Sequence, residues 1–135
     1  MDGQHLPVAF MDMSKAFDNV WHDGLLYKLF TQKHVSGFLL RWIAAFLRGR
    51  SLRVIRGALS SDWHPVKRGV PQGTISSPGL FLVYVDDLPA IVRFTCCLID
   101  LLADDATLCP KICGPDGHTD FSMALRAIYD WSVRW

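Results

Sequence analysis

Two pairs of adjacent aspartates stand out in this 135-residue chain, Asp86-Asp87 in "YVDD" and Asp104-Asp105 in "LADD". Like charges side by side repel, and a cation between them relieves the repulsion. Carboxylate oxygens suit a hard divalent ion such as Mg²⁺, which takes one or two of them together with substrate phosphates. Two-metal phosphoryl transfer needs carboxylates that arrive from separate elements and converge on ions a few Å apart. A further aspartate, Asp12, lies near the end of the apolar run "LPVAFMDM" (6–13), which reads as a buried strand with apolar residues on both faces. Asp104 and Asp105 sit between two more apolar runs, "TCCLIDLLA" (95–103) and "ATLCPKI" (106–112), a hairpin pattern whose turn lacks glycine. If these runs become neighbouring strands of one sheet, Asp12 is expected to face Asp104. Taken alone, an Asp-Asp pair between apolar runs is more often a solvated turn than a metal site.

The setting of Asp86-Asp87 is different. "SPGLFLVYVDDL" (77–88) has Pro78 suited to a helix's first turn, and Pro89 suited to stopping the helix. Proline donates no ladder hydrogen bond, so a strand returning directly after Asp87 is disfavoured. On a helix, neighbouring side chains point about 100° apart and do not aim at one ion together. A polar helix end is the plainer reading of this pair, and context favours Asp104-Asp105 as ligands.

The remaining elements must position these acids. "HDGLLYKLF" (22–30) carries Leu25, Leu26 and Leu29 on one helical face. "SGFLLRWIAAFLRG" (36–49) keeps the same period through Leu39, Leu40, Ile43, Phe46 and Leu47, with Ser36 as N-cap and Gly49 as a stop. "SLRVIRG" (51–57) and "WHPVKRG" (63–69) read as strands, and "GVPQG" as a turn-rich loop. Phe121, Ala124, Leu125, Ile128, Trp131 and Trp135 mark a terminal amphipathic helix, with Thr119 or Asp120 available to cap it. Short strands mixed with helices without strict alternation predict an α+β fold, here a single domain over residues 1–135.

Half of the residues are apolar and a fifth are charged, an ordinary globular balance. Charge is unevenly spread along the chain. Eight basic residues and one acid, Asp62, lie between Lys33 and Arg68, so that segment carries +7 and the remainder −6. This implies either a phosphate-facing surface beside a metal site or a solvated Arg-rich loop. Cys96, Cys97, Cys109 and Cys113 do not have the spacing of a zinc site, and their apolar neighbours suggest core packing in a reducing compartment. No signal-peptide pattern is present, and Arg41, Arg93 and Asp100 interrupt the apolar stretches well short of a membrane span. The expectation is an intracellular protein that is neither secreted nor membrane-bound.

Three strings occur in one order: "FMDMSKAFDNVWHDGLLYKL" (10–29), "VKRGVPQGTISSPGLFLVYVDDLP" (66–89) and "LLADDATL" (101–108). They resemble motifs A, B and C of the reverse transcriptases of non-LTR (LINE-type, jockey-like) retrotransposons. "RWIAAFLRGRSLRV" (41–54) is similar to the segment linking motifs A and B, and "AIYDWSVRW" to the helix after motif C. The resemblance implies an α+β polymerase palm, an antiparallel sheet packed on helices, and an RNA-directed DNA polymerase. It would use two Mg²⁺ (or Mn²⁺) ions, an RNA template, a DNA primer and deoxynucleoside triphosphates. On the same resemblance, Asp12 and Asp104 would be the bridging metal ligands, Met13 would lend a backbone carbonyl, and Asp105 would be a supporting carboxylate. Phe17 would sense the sugar, clashing with a ribose 2′-hydroxyl. Gln72 and Gly73 would line the nucleotide pocket. Plainer roles stand beside these: core packing for Phe17, a tight turn for Gln72-Gly73, and structural roles for Lys15, Asp18, Trp21 and His22.

The resemblance also separates the two aspartate pairs. Family members usually end motif B in an "INDLP"-like string, and Tyr84–Pro89 occupies that place, so "YVDD" imitates the Tyr-x-Asp-Asp of retroviral enzymes. Fourteen residues separate Gln72 from Asp86 and thirty-two separate it from Asp104. The first span holds a loop and a helix; the second holds a strand as well. Leu102 replaces the usual aromatic before Ala-Asp-Asp and is expected to loosen packing around the hairpin. Gly79 stands where a larger apolar residue is usual. Fingers, thumb and endonuclease are expected to lie outside this chain. The alternatives are a catalytically inactive truncated fragment, a repurposed nucleic-acid-binding module and, more remotely, a metal-dependent nuclease.

Overall fold

The computed structural model describes residues 6–111 and 117–135; Ile112 and Cys113, named above, lie outside them. The first strand, β1 (Ala9–Asp12), is shorter than its apolar run because only alternate residues face a core. Beyond Ser14 the chain leaves this unit, builds a second compact unit from Lys15 to Tyr84, and returns at Val85.

The Lys15–Tyr84 unit is helical at both ends. A short α1 (Ala16–Asn19) is followed by α2 (His22–Thr31) and α3 (Gly37–Leu47), which pack against one another. Leu25, Leu29, Ile43 and Leu47 are buried, as the 3.6-residue period predicts, whereas Leu39, on the same expected face, is exposed; Val20, between α1 and α2, is buried as well. The period does not predict Lys28, which is completely buried with its Nζ donating to the Tyr84 carbonyl at 2.5 Å. That carbonyl belongs to the last turn of α4 (Ser76–Val85), where unpaired carbonyls and the helix dipole favour a cation.

Between α3 and α4 the two expected strands are fragmentary. β2 (Ser51–Leu52) pairs with β5 (His64–Pro65), and β3 (Ile55–Arg56) pairs with β4 (Leu59–Ser60). Alternation is present in this sequence, but neither face has a core to cover, so only short ladders form. Gly79 lies in α4 with open space where its Cβ would be. Gly79→Ala is therefore expected to stabilise the protein by about 0.5–1 kcal/mol, read as a raised urea midpoint at unchanged m-value.

In the other unit, α5 (Leu88–Ile91) and a 3₁₀ turn (Val92–Phe94) lead into β6 (Cys97–Leu102) and β7 (Asp105–Pro110). Pro89 lies in the first turn of α5, so it starts a new helix as well as ending the old one. The sheet order is β1-β7-β6, antiparallel throughout. One face packs on α6 (Gly117–Arg134): Val92, Cys97, Leu108 and Ala124 are buried, with Met11, Ile99, Phe121, Leu125 and Ile128 around them. Thr119 and Asp120 fall inside the first turn of α6 rather than capping it.

The opposite face of the sheet is open. Phe10 is 82% exposed and Leu102 78% exposed, which corrects two expectations from the sequence. β1 is not buried on both faces, and Leu102 cannot loosen packing where it packs against nothing in this unit. Both side chains belong to the alternate set that points away from α6. The architecture is α+β, with a palm-like antiparallel sheet backed by helices. Among the described residues, no helix is long and apolar enough to cross a membrane.

Candidate active site

The open sheet face carries the carboxylates. The β1/β7 register pairs Asp12 with Asp105, and the β6/β7 register pairs Asp105 with Leu102. Directly opposed residues of an antiparallel pair share a face, with Cβ atoms about 5 Å apart. Asp12 and Asp105 thus stand side by side at the end of the sheet. The expected partner of Asp12 had been Asp104, but that residue occupies the two-residue turn Ala103-Asp104. Its contact with motif A runs through the backbone: the Met13 N–H donates to the Asp104 carbonyl at 3.1 Å. The turn closes without glycine because Ala103 takes a φ of 55°.

A groove of about 410 Å³ runs over this face, lined by Phe10, Asp12, Asp100, Leu102, Asp105 and Thr107 among others. Among the described residues neither Asp12 nor Asp105 has an ion-pair partner, so two like charges face each other without a cation from the protein. Nor does any set of three or more His, Cys, Asp or Glu side chains among the described residues converge on a single point. The donor set is two opposed carboxylates, a third on the turn beside them, and backbone carbonyls. These hard oxygens fit Mg²⁺ or Mn²⁺ in the manner that leaves coordination positions for substrate phosphates.

Asp86 and Asp87 follow the last residue of α4. Asp87 accepts a hydrogen bond from the Trp131 indole N–H at 2.9 Å, joining the start of α5 to α6. Its carboxylate is thereby committed to packing.

The other expected site residues lie in the Lys15–Tyr84 unit and are held by a separate set of bonds. The Gly69 N–H donates to the Val20 carbonyl, and the Val70 N–H to the Phe17 carbonyl, both at 2.8 Å. These bonds lash the start of motif B to the α1 segment of motif A. Gln72 Nε2 then donates to Asp18 Oδ1 at 3.0 Å. Phe17 stacks on the buried Phe81 at 4.8 Å between ring centroids and stays half-buried, so its packing role is real and part of its ring remains accessible. Gly73 has a φ of +81° and nothing within 4 Å of where its Cβ would be. Glycine is required there by the backbone turn, and the space above it is open.

His22 is buried, with Nε2 2.8 Å from the Gly69 carbonyl oxygen, the satisfied core histidine expected of it. The sequence did not single out Gly69, Arg50 or Lys28. Arg50 donates to the Gly69 carbonyl at 2.6 Å and to the Leu47 carbonyl at 2.9 Å, and burial lowers its pKa below the usual guanidinium value. Gly69 opens the turn-rich string "GVPQG", but nothing in that string shows that its Cα lies against the Asp18 backbone.

The site is thus one end of a palm-like sheet, with aspartates at a strand end and at the facing hairpin turn, backed by a helix. In the comparison with known proteins, residues 2–129 match the reverse transcriptase (RNA-dependent DNA polymerase) family, and the chain belongs to it. It is 33% identical over 133 residues to the RNA-directed DNA polymerase from mobile element jockey of Drosophila funebris, and 32% identical over 136 residues to its Drosophila melanogaster counterpart. It is 31% identical over 132 residues to the probable RNA-directed DNA polymerase from transposon X-element of Drosophila melanogaster. These alignments cover 93–94% of this chain, which spans about 14% of the length of each relative.

Proposed function

We propose that this chain is the palm portion of a non-LTR retrotransposon's RNA-directed DNA polymerase, adding deoxynucleotides to a DNA primer annealed to an RNA template. The observation that carries the reading is the opposition of Asp12 and Asp105 across β1 and β7, with Asp104 in the adjoining turn. Asp12 and Asp104 would hold two Mg²⁺ or Mn²⁺ ions, with the Met13 carbonyl and Asp105 completing the oxygen set. When bound, the ions supply Lewis acidity for the attacking 3′-hydroxyl and for the departing pyrophosphate. The protein's own part is positional. The Met13–Asp104 backbone bond ties the hairpin turn to the end of β1, so Asp12 and Asp105 reach the site from paired strands and Asp104 from a tethered turn.

Phe17, Gln72 and Gly73 would serve the incoming nucleotide. Stacking on Phe81 holds the Phe17 ring in place, which lets it exclude a 2′-hydroxyl by bulk. Asp18 orients the Gln72 amide, leaving its carbonyl oxygen to accept from a ligand. A polymerase supplied with nucleotides and RNA works inside a cell, and the thiols of Cys97 and Cys109 suit a reducing compartment.

The test is primer extension on an RNA template, with this chain replacing the matching segment of the Drosophila funebris jockey polymerase. Extension that needs deoxynucleotides and Mg²⁺ is expected. Phe17→Val should reduce the preference for deoxynucleotides over ribonucleotides about ten- to a hundredfold. Hydrolysis of nucleic acid without nucleotide addition would replace this reading with a nuclease.

A further inference from the structure

We propose that the hairpin of residues 50–66 grips a single-stranded nucleic acid, with the Trp63 ring stacking on a base and Arg53 and Arg56 neutralising the phosphates beside it. This deepens the polymerase reading, on which it rests only for the expectation that the strand is the template.

Three features of the hairpin point the same way. Every residue from Ser51 to Pro65 is exposed, including Leu52, Val54, Ile55, Leu59 and Trp63. Two-stranded ribbons without a core are marginal in water, and this one carries more apolar surface than a solvated loop needs. Its charge is one-sided: from Arg48 to Arg68 there are six basic residues and one acid, Asp62. Among the described residues, Arg53, Arg56, Lys67 and Arg68 have no carboxylate partner, so their charge is available to a polyanion. Finally, the Arg53 guanidinium lies over the Trp63 ring at 4.7 Å, while 60% of Trp63 stays exposed.

An aromatic ring backed by a cation is a platform for an unpaired base, because every base has a π face and the adjacent phosphate meets the charge. A duplex hides its bases from such a platform. The foot of the hairpin is firmly set. Arg50 donates to the Leu47 and Gly69 carbonyls, and the Val66 N–H donates to the Arg50 carbonyl at 2.9 Å. The ribbon is therefore anchored at its base and free along its length.

Fluorescence anisotropy of the 135-residue chain with labelled oligouridine and oligodeoxythymidine, in EDTA and without nucleotides, tests this apart from polymerisation. Loss of primer extension would leave the binding result standing, and loss of binding would leave the metal site standing. Trp63→Ala is expected to weaken both oligonucleotides about tenfold, and Trp63→Phe to restore most of the loss. Replacing Arg53 and Arg56 by Gln should lower the slope of log affinity against log salt by about 1.4. Replacing Arg126 and Arg134 by Gln, the same charge change on α6, should alter neither. The proposal is overturned if Trp63→Ala, folded by circular dichroism, binds as tightly as the parent. It is also overturned if duplex binds as well as single strand, or if phosphatidylserine vesicles bind with the same dependence on Trp63.

Discussion

Asp12→Ala and Asp104→Ala, each introduced into a jockey polymerase carrying this segment, should cut primer extension about a thousandfold or more, while Asp86→Ala leaves it within about twofold. The asymmetry follows from where the pairs sit. Asp12 ends a strand whose neighbour carries Asp105 directly opposite, and Asp104 lies in the turn tied to Met13. Removing either proposed ligand takes away several kcal/mol of charge stabilisation at the transferring phosphate. Asp105→Asn keeps the shape and removes one of two facing charges, so a smaller loss, about ten- to a hundredfold, is expected. Asp86 is exposed at a helix end. Asp87→Ala should act on stability instead, costing about 1.5–3 kcal/mol because the Trp131 indole loses a charged acceptor. A series in which Asp86→Ala abolished extension and Asp104→Ala spared it would reverse the assignment.

Gly69→Ala should destabilise the protein by about 2–5 kcal/mol, a large share of the 5–15 kcal/mol typical of a domain. Two costs add. Gly69 has a φ of +88°, where an L side chain loses about 1–2 kcal/mol. A Cβ there would also lie 2.8 Å from the Asp18 carbonyl oxygen and 2.9 Å from the Asp18 Cα, backbone atoms of a helix that cannot simply rotate away. Overpacking of that kind costs about 1–3 kcal/mol more. Relief would require separating the Gly69–Val20 and Val70–Phe17 backbone bonds, the same bonds that keep Phe17 and Gln72 in register. Equilibrium urea unfolding reads the effect. A variant as stable as the parent would mean that the two segments part without penalty.

Much of this arrangement can be read from the residues. β1, the β6–β7 hairpin, α4 and α6 follow from apolar periodicity bounded by proline and turn residues, and motif order is what singles out Asp12, Asp104 and Asp105 as the proposed ligands. What escaped reading has physical causes. An apolar residue on a strand gives no sign of whether its face is covered, so Phe10 looked buried while lying on the open side of the sheet. Burial of Lys28 has no local signature, because nothing nearby in sequence shows that its ammonium reaches a carbonyl 56 residues away. The Asp12–Asp105 register depended on how tightly the hairpin turned, and Ala103 at positive φ is not a choice that composition suggests. The Gln72–Asp18 bond spans 54 residues and left no local trace.

The excursion of the chain between Ser14 and Val85 also sets an order of events. Ala9 pairs with Leu108, so β1 finds its central neighbour only after everything between them has been made. Residues 15–84 make most of their contacts among themselves and can condense first, whereas closing the sheet joins ends that are far apart along the chain. During synthesis, the carboxylates of Asp12 and Asp105 therefore come to face each other only after the whole excursion has been made. Their opposition is a late-appearing property of this segment, a timestamp for the closure of its sheet.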